Sequence, residues 1–173
     1  MSQDAKQNDD LSPLLKLVDM SWKIAASFIT NNKDELMTQF IAETRDGSLQ
    51  FYSTPWGNEE EKVIVLDLLR KKFAEEGVVR YVLTSEVWRV RYAADDARLK
   101  DEDRPMPSQD PQRESALMVI GVDPAAGEVL HYGASIIEGD DGRSLGERQT
   151  EQRGQMGGRM INLLGPFSQR TVN

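Results

Sequence analysis

Residues 78–92 read VVRYVLTSEVWRVRY, and this stretch decides the fold. Its alternate positions form two sets: Val79, Tyr81, Leu83, Ser85 and Val87, and Val78, Val82, Thr84, Glu86, Trp88 and Val90. Both sets are largely apolar, which is typical of a central strand covered on two sides. The stretch therefore predicts a long central strand, and residues 116–122 predict a second strand of this type.

Two helices are predicted before this strand. The first begins with Ser12 as N-cap and Pro13 in the first turn, and its apolar residues recur every three or four positions until residues 31–32. The second begins at Asn58, where Glu61 completes a capping box. It ends at Gly77, which suits a left-handed C-cap.

A hairpin over residues 36–53 and a last strand over residues 128–138 complete the predicted elements. The dipeptide Asp46-Gly47 suits the turn of the hairpin, because both residues tolerate positive φ angles. The order is therefore helix-β-β-helix-β-β-β. We predict an α+β fold with a mainly antiparallel sheet of about five strands and two helices packed on one face.

The chain divides into three predicted regions. Residues 1–10 are polar without apolar periodicity, which predicts disorder. Residues 11–138 form a single α+β domain. Residues 139–173 are an extension rich in Arg and Gly, and its apolar end, residues 160–164, is expected to dock on the domain or on a second copy because it would otherwise be exposed.

The composition excludes several kinds of chemistry. The 173 residues include no cysteine and one histidine, which excludes disulfides, thiolate metal sites, cysteine nucleophiles and His-rich metal sites. A net charge of -8 disfavours nucleic acid and anionic membranes as partners. Neither a signal peptide nor a membrane-spanning segment is visible, so we expect a cytoplasmic protein. We expect no metal and no cofactor.

Two long segments, residues 93–114 and 139–158, lack apolar periodicity. Segments of this length are functional or disordered. If the last three strands form a meander, both segments leave from the same end of the sheet. We expect a functional site at that end, because loops on a rigid scaffold commonly carry function.

A cluster of charged residues near that end is the first candidate site: Glu86, Arg89, Arg91, Arg113 and Glu114. Glu86 shares a strand face with Trp88, so we expect it to be partly buried and to need a cation, for which Arg113 or Arg89 are candidates. The functional interpretation is a pocket in which Glu86 is an acid or base and an arginine binds an anionic group. The structural interpretation, an ion pair at the sheet edge, is the one we favour.

A second candidate is a set of carboxylates on neighbouring strands: Glu86, Glu114, Asp123 and Glu138. Oxygen ligands of this kind suit magnesium or manganese. Asp123, however, lies at the far end of its strand from Glu114, so we do not expect the set to converge on one ion. His131 has no nucleophile beside it in the sequence and is interpreted as a structural residue.

The candidate binding residues are Trp56, Trp88, Arg89 and Arg91. Trp56 lies in a Pro-Trp-Gly turn, and we expect it to be the most exposed of the three tryptophans. An exposed tryptophan suits a binding hot spot. The alternative is a lid over the rim of the core.

The basic residues of the last segment are all arginines: Arg143, Arg148, Arg153, Arg159 and Arg170. Arginine suits planar contacts to carboxylates, phosphates or aromatic rings. One interpretation is an arm that binds RNA or another partner. The interpretation we favour is an extension whose apolar end docks on the domain or on a second subunit.

Two motifs resemble a known family. They are Thr84-Ser85-Glu86-Val87-Trp88 and, before an apolar strand, Pro107-Ser108-Gln109-Asp110-Pro111-Gln112-Arg113-Glu114. They are similar to a family of uncharacterised bacterial and phage proteins with a Ser-Glu-x-Trp strand followed by a Pro-x-x-x-Pro-x-Arg segment. No activity is assigned to that family, so the resemblance implies no catalytic residues. It implies that Glu86, Trp88, Arg113 and Glu114 act as a unit.

The sequence favours one function and leaves two alternatives. The favoured hypothesis is a non-enzymatic binding or accessory protein that forms a homodimer and contacts an unidentified protein partner. The first alternative is a small hydrolase-like enzyme with Glu86, Arg113 and Glu114 as its candidate catalytic residues. The second alternative is RNA or DNA binding through the C-terminal arginines.

Overall fold

A computed structural model of the chain describes residues 11–150 and 163–164, and shows an α+β fold. Its elements are α1 (Pro13–Asn31), β1 (Gln39–Thr44), β2 (Leu49–Ser53), α2 (Glu59–Glu76), β3 (Val78–Arg89), β4 (Glu114–Asp123), β5 (Glu128–Gly139), β6 (Gly142–Leu145) and β7 (Gln149–Thr150). Two short 3₁₀ helices, Ala97–Lys100 and Pro107–Gln109, lie between β3 and β4. In this part of the chain no helix is long and apolar enough to cross a membrane.

The strands form one antiparallel sheet in the order β2-β1-β3-β4-β5-β6, and β7 pairs with β5. The sheet has seven strands, so the prediction of about five was too low. The two strands that the prediction missed, β6 and β7, lie after residue 138. Their short polar sequences, such as Gly-Arg-Ser-Leu in β6, carry no apolar alternation that would mark a strand.

The two helices pack on opposite faces of the sheet, so the prediction of one shared face is wrong. On one face α1 covers alternate strand residues such as Ile41, Val82 and Leu117. On the other face α2 covers their neighbours, such as Phe40 and Tyr81. The cause is the apolar character of both sets of positions in β3, since each face of a central strand must be removed from water.

The helix ends follow the predicted local signals. The Ser12 side chain accepts a hydrogen bond from Leu15 N at 3.1 Å, and the Asn58 side chain accepts one from Glu61 N at 2.9 Å. Gly77 has φ 67° and ends α2 in the left-handed conformation. The predicted N-caps of both helices and the C-cap of α2 are therefore confirmed. The reciprocal bond of the predicted capping box differs, since Glu61 Oε2 accepts from Gly57 N at 2.6 Å rather than from Asn58 N.

A glycine lets α1 lie close against the sheet. A Cβ atom at Gly121 of β4 would be 2.6 Å from Val18 Cγ2 and 3.0 Å from Leu14 Cδ1. Those distances are shorter than van der Waals contact, so a larger residue would push α1 away from β4. Gly121 therefore sets the height of α1 above the sheet.

Two residues of the predicted apolar end, Leu163 and Leu164, pack on the α2 side of the sheet. Leu163 is buried in the same cluster as Phe73 and Tyr81, and Leu164 packs against that cluster. The Tyr81 hydroxyl is hydrogen-bonded to the backbone of Leu163. Residues 1–10, for which disorder was predicted, lie outside the described residues. So do the other residues of the extension after residue 150.

Candidate functional site

A cleft of about 660 Å³ lies at the end of the sheet where β2 and β3 finish and β1 begins. We call it the Trp56 cleft; its walls include Met37, Trp56, Lys62, Val87 and Met118, and its floor includes Thr38, Thr54 and Ser85. The two long segments predicted to mark a site also leave the sheet at this end: residues 93–114 join β3 to β4, and the described part of residues 139–158 follows β5. The cleft is therefore formed where rigid strands meet loops.

The floor of the cleft is made of hydroxyl groups. Thr38 Oγ1 and Ser85 Oγ are 2.9 Å apart, and Thr54 Oγ1 donates to the Thr38 carbonyl at 3.1 Å. Thr54 and Ser85 are buried. These hydrogen bonds tie β1, β2 and β3 together and fix the hydroxyls at the base of the cleft.

The walls of the cleft combine apolar side chains with one lysine and three glutamates, Glu35, Glu61 and Glu86. Trp56 is half-buried, and Lys62 Nζ lies 5.8 Å from the centroid of its ring. Met37 is exposed at the opposite wall. Of the residues that line the cleft, the sequence reasoning identified Trp56 and Glu86 as candidates. The others come from the segments before β1 and after β2 and from α2, β3 and β4, and no local pattern predicts that they meet.

Glu86 is enclosed by hydrogen-bond donors beside the cleft. Its carboxylate accepts from Arg143 Nη1 at 3.0 and 3.1 Å, from Ser115 Oγ at 2.9 Å and from Leu36 N at 3.1 Å. The Glu86 and Arg143 side chains are 11% and 7% exposed. The predicted burial of Glu86 agrees with this arrangement, but its cation comes from β6 rather than from Arg113 or Arg89.

Arg143 also anchors the turn after α1. Its Nη2 donates to the Asp34 carbonyl at 2.8 Å, while its Nε is buried without a partner in the described part of the chain. The pair Glu86–Arg143 thus joins β3, β6 and the α1–β1 connection. The sequence gives no local signal for this pairing, because 57 residues separate the two partners.

Arg89, Arg91 and Glu114 form a second ionic cluster on the opposite face of the sheet. Glu114 Oε1 accepts from Arg89 Nε at 2.7 Å and from Arg91 Nε at 2.9 Å. Ser135 Oγ lies 3.2 Å from Glu114 Oε2. Burial alone would raise the pKa of Glu114, but the two guanidinium groups outweigh it and leave the pKa below its usual value.

The structure separates the four residues that the resemblance grouped into a unit. Glu86 and Trp88 occupy one face of β3, whereas Glu114 faces the other side with Arg89. Arg113 lies over the Trp88 ring, 4.8 Å from its centroid, and donates to the Ser108 carbonyl at 2.6 Å. Glu114 is thus the member that lies apart from the other three, because alternation along β3 and β4 sends neighbouring residues to opposite faces.

Trp88 is the exposed tryptophan. It is 51% exposed, whereas Trp56 is half-buried in the cleft wall. The expectation that Trp56 is the most exposed tryptophan is therefore wrong.

The segment between β3 and β4 is structured by short-range contacts. Arg98 pairs with Asp96 at 2.7 Å and lies over the Tyr92 ring, 4.8 Å from its centroid. The Tyr92 hydroxyl donates to Asp110 at 3.3 Å. Hydrogen bonds from Arg98 lower the pKa of Asp96 to about 2. These contacts join the two ends of the segment.

Two of the five C-terminal arginines are used within the fold. Arg143 pairs with Glu86, and Arg148 lies between the rings of Trp22 and Tyr132, 5.2 and 4.1 Å from their centroids. Arg148 Nη1 also donates to Asp19 at 2.7 Å. Arg153, Arg159 and Arg170 lie outside the described residues.

The other sequence candidates are spread over the sheet. Asp123 pairs with Arg80 at 2.9 Å at the end of β4 far from the Trp56 cleft. Glu138 lies near the C-terminal end of β5. Half-buried His131 faces Ile120 across the β4–β5 pair. Among residues 11–150 and 163–164 no group of three or more His, Asp or Glu side chains could hold a metal ion.

Comparisons with known proteins give no match: no protein family fits the chain, and no curated protein or solved structure is significantly similar to it. The function must therefore be argued from the geometry of the site.

Proposed function

We propose that this protein is a non-enzymatic binding protein and that it holds its ligand in the Trp56 cleft. The observation that carries the proposal is the contrast between the cleft and the charged groups beside it. The cleft offers apolar walls, a fixed hydroxyl floor, one lysine and three glutamates, of which Glu61 and Glu86 are already hydrogen-bonded within the fold. Apolar walls with a few placed polar groups are the usual make-up of a binding pocket. Glu86, the candidate acid or base, already accepts hydrogen bonds from three residues.

The enzymatic alternative requires Glu86 to exchange a proton with a substrate. A general acid or base must reach the reacting group within hydrogen-bond distance, and here Arg143, Ser115 and Leu36 occupy that position. Opening the site would leave an unpaired charge in a buried place, which is costly. Glu86 is better explained as a structural residue that holds β3 against β6.

The nucleic-acid alternative is weakened by the contacts of Arg143 and Arg148. Both guanidinium groups are held by carboxylates of the fold. A phosphate would have to compete with these contacts in a chain of net charge -8. A ligand in the Trp56 cleft requires no such rearrangement.

The chemistry of the cleft suggests the ligand. A flat apolar or aromatic group fits against the Trp56 ring, and hydroxyls at the floor can accept or donate hydrogen bonds. An anionic group at the mouth would meet Lys62, whose exposed partner Glu59 is 3.6 Å away, at a site that Glu35, Glu61 and Glu86 also line. The proposed ligand class is therefore an apolar or aromatic molecule, or side chain, with a polar or anionic end.

The test uses anilinonaphthalene sulfonate, an aromatic anion that is fluorescent when bound. We expect Trp56→Ala to weaken its binding by about tenfold or more, which corresponds to about 1.4 kcal/mol. Trp88→Ala is the matched control, because Trp88 is also a partly exposed tryptophan with a cation above its ring. Equal losses in both variants, or no loss in either, would contradict the proposal.

Native mass spectrometry of freshly purified protein extends the test to natural ligands. We expect a retained small molecule to be lost from Trp56→Ala and kept by Trp88→Ala. Glu86→Gln should bind the dye with the affinity of the wild type, since the Glu86 carboxylate is hydrogen-bonded within the fold. Turnover of a substrate that disappears with Glu86→Gln in a folded sample would instead favour the enzyme.

A further inference from the structure

We propose that the outer edge of β2 and the adjoining flank of α2 form a symmetric interface with a second copy of this chain. In this dimer the two β2 strands pair antiparallel about Phe51, and the two sheets become one. The interface borders the Trp56 cleft at Glu61, which lines the cleft, but it does not depend on the binding function proposed above.

The backbone of β2 is ready for a further strand. Thr44 N donates to Ser48 O at 2.9 Å and Thr54 N donates to Thr38 O at 3.0 Å, so the even-numbered residues of β2 face β1. The N–H and C=O groups of Leu49, Phe51 and Ser53 therefore point away from the sheet. Within the described residues, β1 is the only strand that pairs with β2.

The side chains of β2 do not protect this edge. Exposed edge strands usually carry lysine, proline, a bulge or an inward charge that prevents pairing. The sequence of β2 is Leu-Gln-Phe-Tyr-Ser, without a charge or a proline. Phe51, at its centre, is 62% exposed. An exposed apolar edge of this kind is the surface that strand pairing would cover.

A groove of about 630 Å³ continues this edge onto α2. It is lined by Phe51 of β2 and by Val65, Leu68 and Lys72 of α2, among others. Leu68 is 59% exposed, although its neighbour Leu69 is buried in the core. Exposed apolar residues thus lie next to the unpaired backbone, which is typical of an interaction surface.

The exposed flank of α2 is complementary in charge and apolar character to the same flank of an antiparallel second copy. Glu61, Val65, Leu68 and Lys72 are spaced by four, three and four residues, so they lie along one stripe of the helix. A twofold axis at the edge makes the two α2 helices antiparallel. Glu61, which also accepts from Gly57 N at 2.6 Å, then lies opposite Lys72 of the second copy, which is also 2.9 Å from its own Glu76. Val65 lies opposite Leu68 of the second copy.

The same twofold axis also gives the two β2 strands a regular hydrogen-bonded register. Pairing about Phe51 places Phe51 beside Phe51 of the second copy, and Leu49 beside its Ser53. Each of these pairs exchanges two backbone hydrogen bonds in an antiparallel ladder. The Phe51 side chain lies on the sheet face opposite α2, because its register partner Ile41 packs in the α1-side cluster, while Phe51 also borders the groove with Val65 and Leu68. A twofold axis perpendicular to the sheet therefore relates both the two β2 strands and the two α2 helices. A strand from an unrelated protein has no reason to match this charge pattern, which favours the second copy.

Cysteine crosslinking tests the register in this cysteine-free chain. We expect Phe51→Cys to give a disulfide-linked dimer under mild oxidation, because Cα atoms of a hydrogen-bonded pair are about 5.5 Å apart, within the range that a disulfide spans. Leu49→Cys is the matched control. In the proposed register the Leu49 positions of the two copies are four residues apart along the strands, about 13 Å, which is too far for a disulfide. A mixture of Leu49→Cys and Ser53→Cys should crosslink again.

Charge exchange tests the helix contact by light scattering. We expect Leu68→Lys, and also Lys72→Glu alone, to shift the dimer dissociation constant at least about tenfold. The double variant Glu61→Lys/Lys72→Glu should restore it, since the two charges are merely exchanged. Leu99→Lys, an exposed apolar position outside the interface, should leave the dimer unchanged. Circular dichroism of each variant confirms that the fold is kept.

Three results would overturn the proposal. They are a wild-type monomer at its highest soluble concentration, a dimer that survives Leu68→Lys, and equal crosslinking of Phe51→Cys and Leu49→Cys. A monomer would leave the β2 edge to a strand of another protein. Dye binding in the Trp56 cleft should be unaffected by Leu68→Lys, so the failure of one proposal is distinguishable from the failure of the other.

Discussion

Glu86 and Glu114 lie at the same end of the sheet, on neighbouring strands, yet they have different environments. Glu86 is almost fully buried and receives a guanidinium, a hydroxyl and a backbone N–H. Glu114 is partly exposed and lies between two arginines, one of which is half-exposed. The same residue type thus serves as an internal connector on one face and as part of a surface ionic cluster on the other.

The difference teaches that burial, rather than the number of ionic contacts, sets the energetic weight of each cluster. Exposed ion pairs contribute about 0–1 kcal/mol because water screens them. A buried charge that loses its partner costs about 3–5 kcal/mol. Variants of the two clusters should therefore differ strongly in their free energy of unfolding.

The largest effect is expected for Arg143→Ala. The change leaves the buried Glu86 carboxylate without its cation, so the free energy of unfolding should fall by about 3–5 kcal/mol. Chemical denaturation measures it. The double variant Glu86→Gln/Arg143→Met should recover much of the loss, because no unpaired charge remains.

Arg91→Ala is the control for that prediction, since it removes an arginine that is half-exposed. Its effect should stay below about 1 kcal/mol. Equal losses in Arg143→Ala and Arg91→Ala would mean that the two clusters do not differ as their burial indicates.

A smaller effect is expected for Glu114→Gln. The change removes the charge between Arg89 and Arg91 while Ser135 remains beside it. Because water screens the cluster, we expect a loss of about 1 kcal/mol at neutral pH and low salt. The loss should shrink in high salt, as seen by denaturation at two ionic strengths. A loss that does not change with salt would contradict the surface assignment.

The smallest effect is the pH dependence of the same cluster. The pKa of Glu114 is lowered in the folded state, so its ionised form stabilises the fold above the unfolded pKa, and this contribution disappears as the pH falls through the folded pKa. The difference in stability between wild type and Glu114→Gln should therefore decrease on acidification below about pH 4.5. Thermal denaturation over that range measures it; a difference that grows in acid would contradict the sign.

The sequence predicted local features well, because local residues cause them. Ser12, Asn58 and Gly77 each act within one turn of their own helix, and all three were assigned correctly. The two apolar faces of β3 were also visible in its alternation. What was missed is the consequence of that alternation, namely that one helix must cover each face.

The candidate site was predicted less well, because its residues come together from distant parts of the chain. Alternation placed Glu86 in a buried position, but nothing in the sequence indicates that Arg143 of a short polar strand would reach it. Likewise, the Pro-Trp-Gly turn marked Trp56 as a candidate binding residue, whereas no local sequence pattern marks its cleft neighbours Met37 and Met118. Spatial neighbours at long sequence separation need the fold itself.

The burial of Leu163 has a consequence for the order in which the protein acquires its structure during synthesis. Within the described residues, the α1 side of the core contains nothing later than Leu145, so it can consolidate while the ribosome is still adding later residues. The α2 side also contains Leu163, which lies in the same cluster as Phe73 and Tyr81. That half of the core stays incomplete until Leu163 has been synthesised, and a chain truncated before Leu163 would lack this contact on the α2 face only.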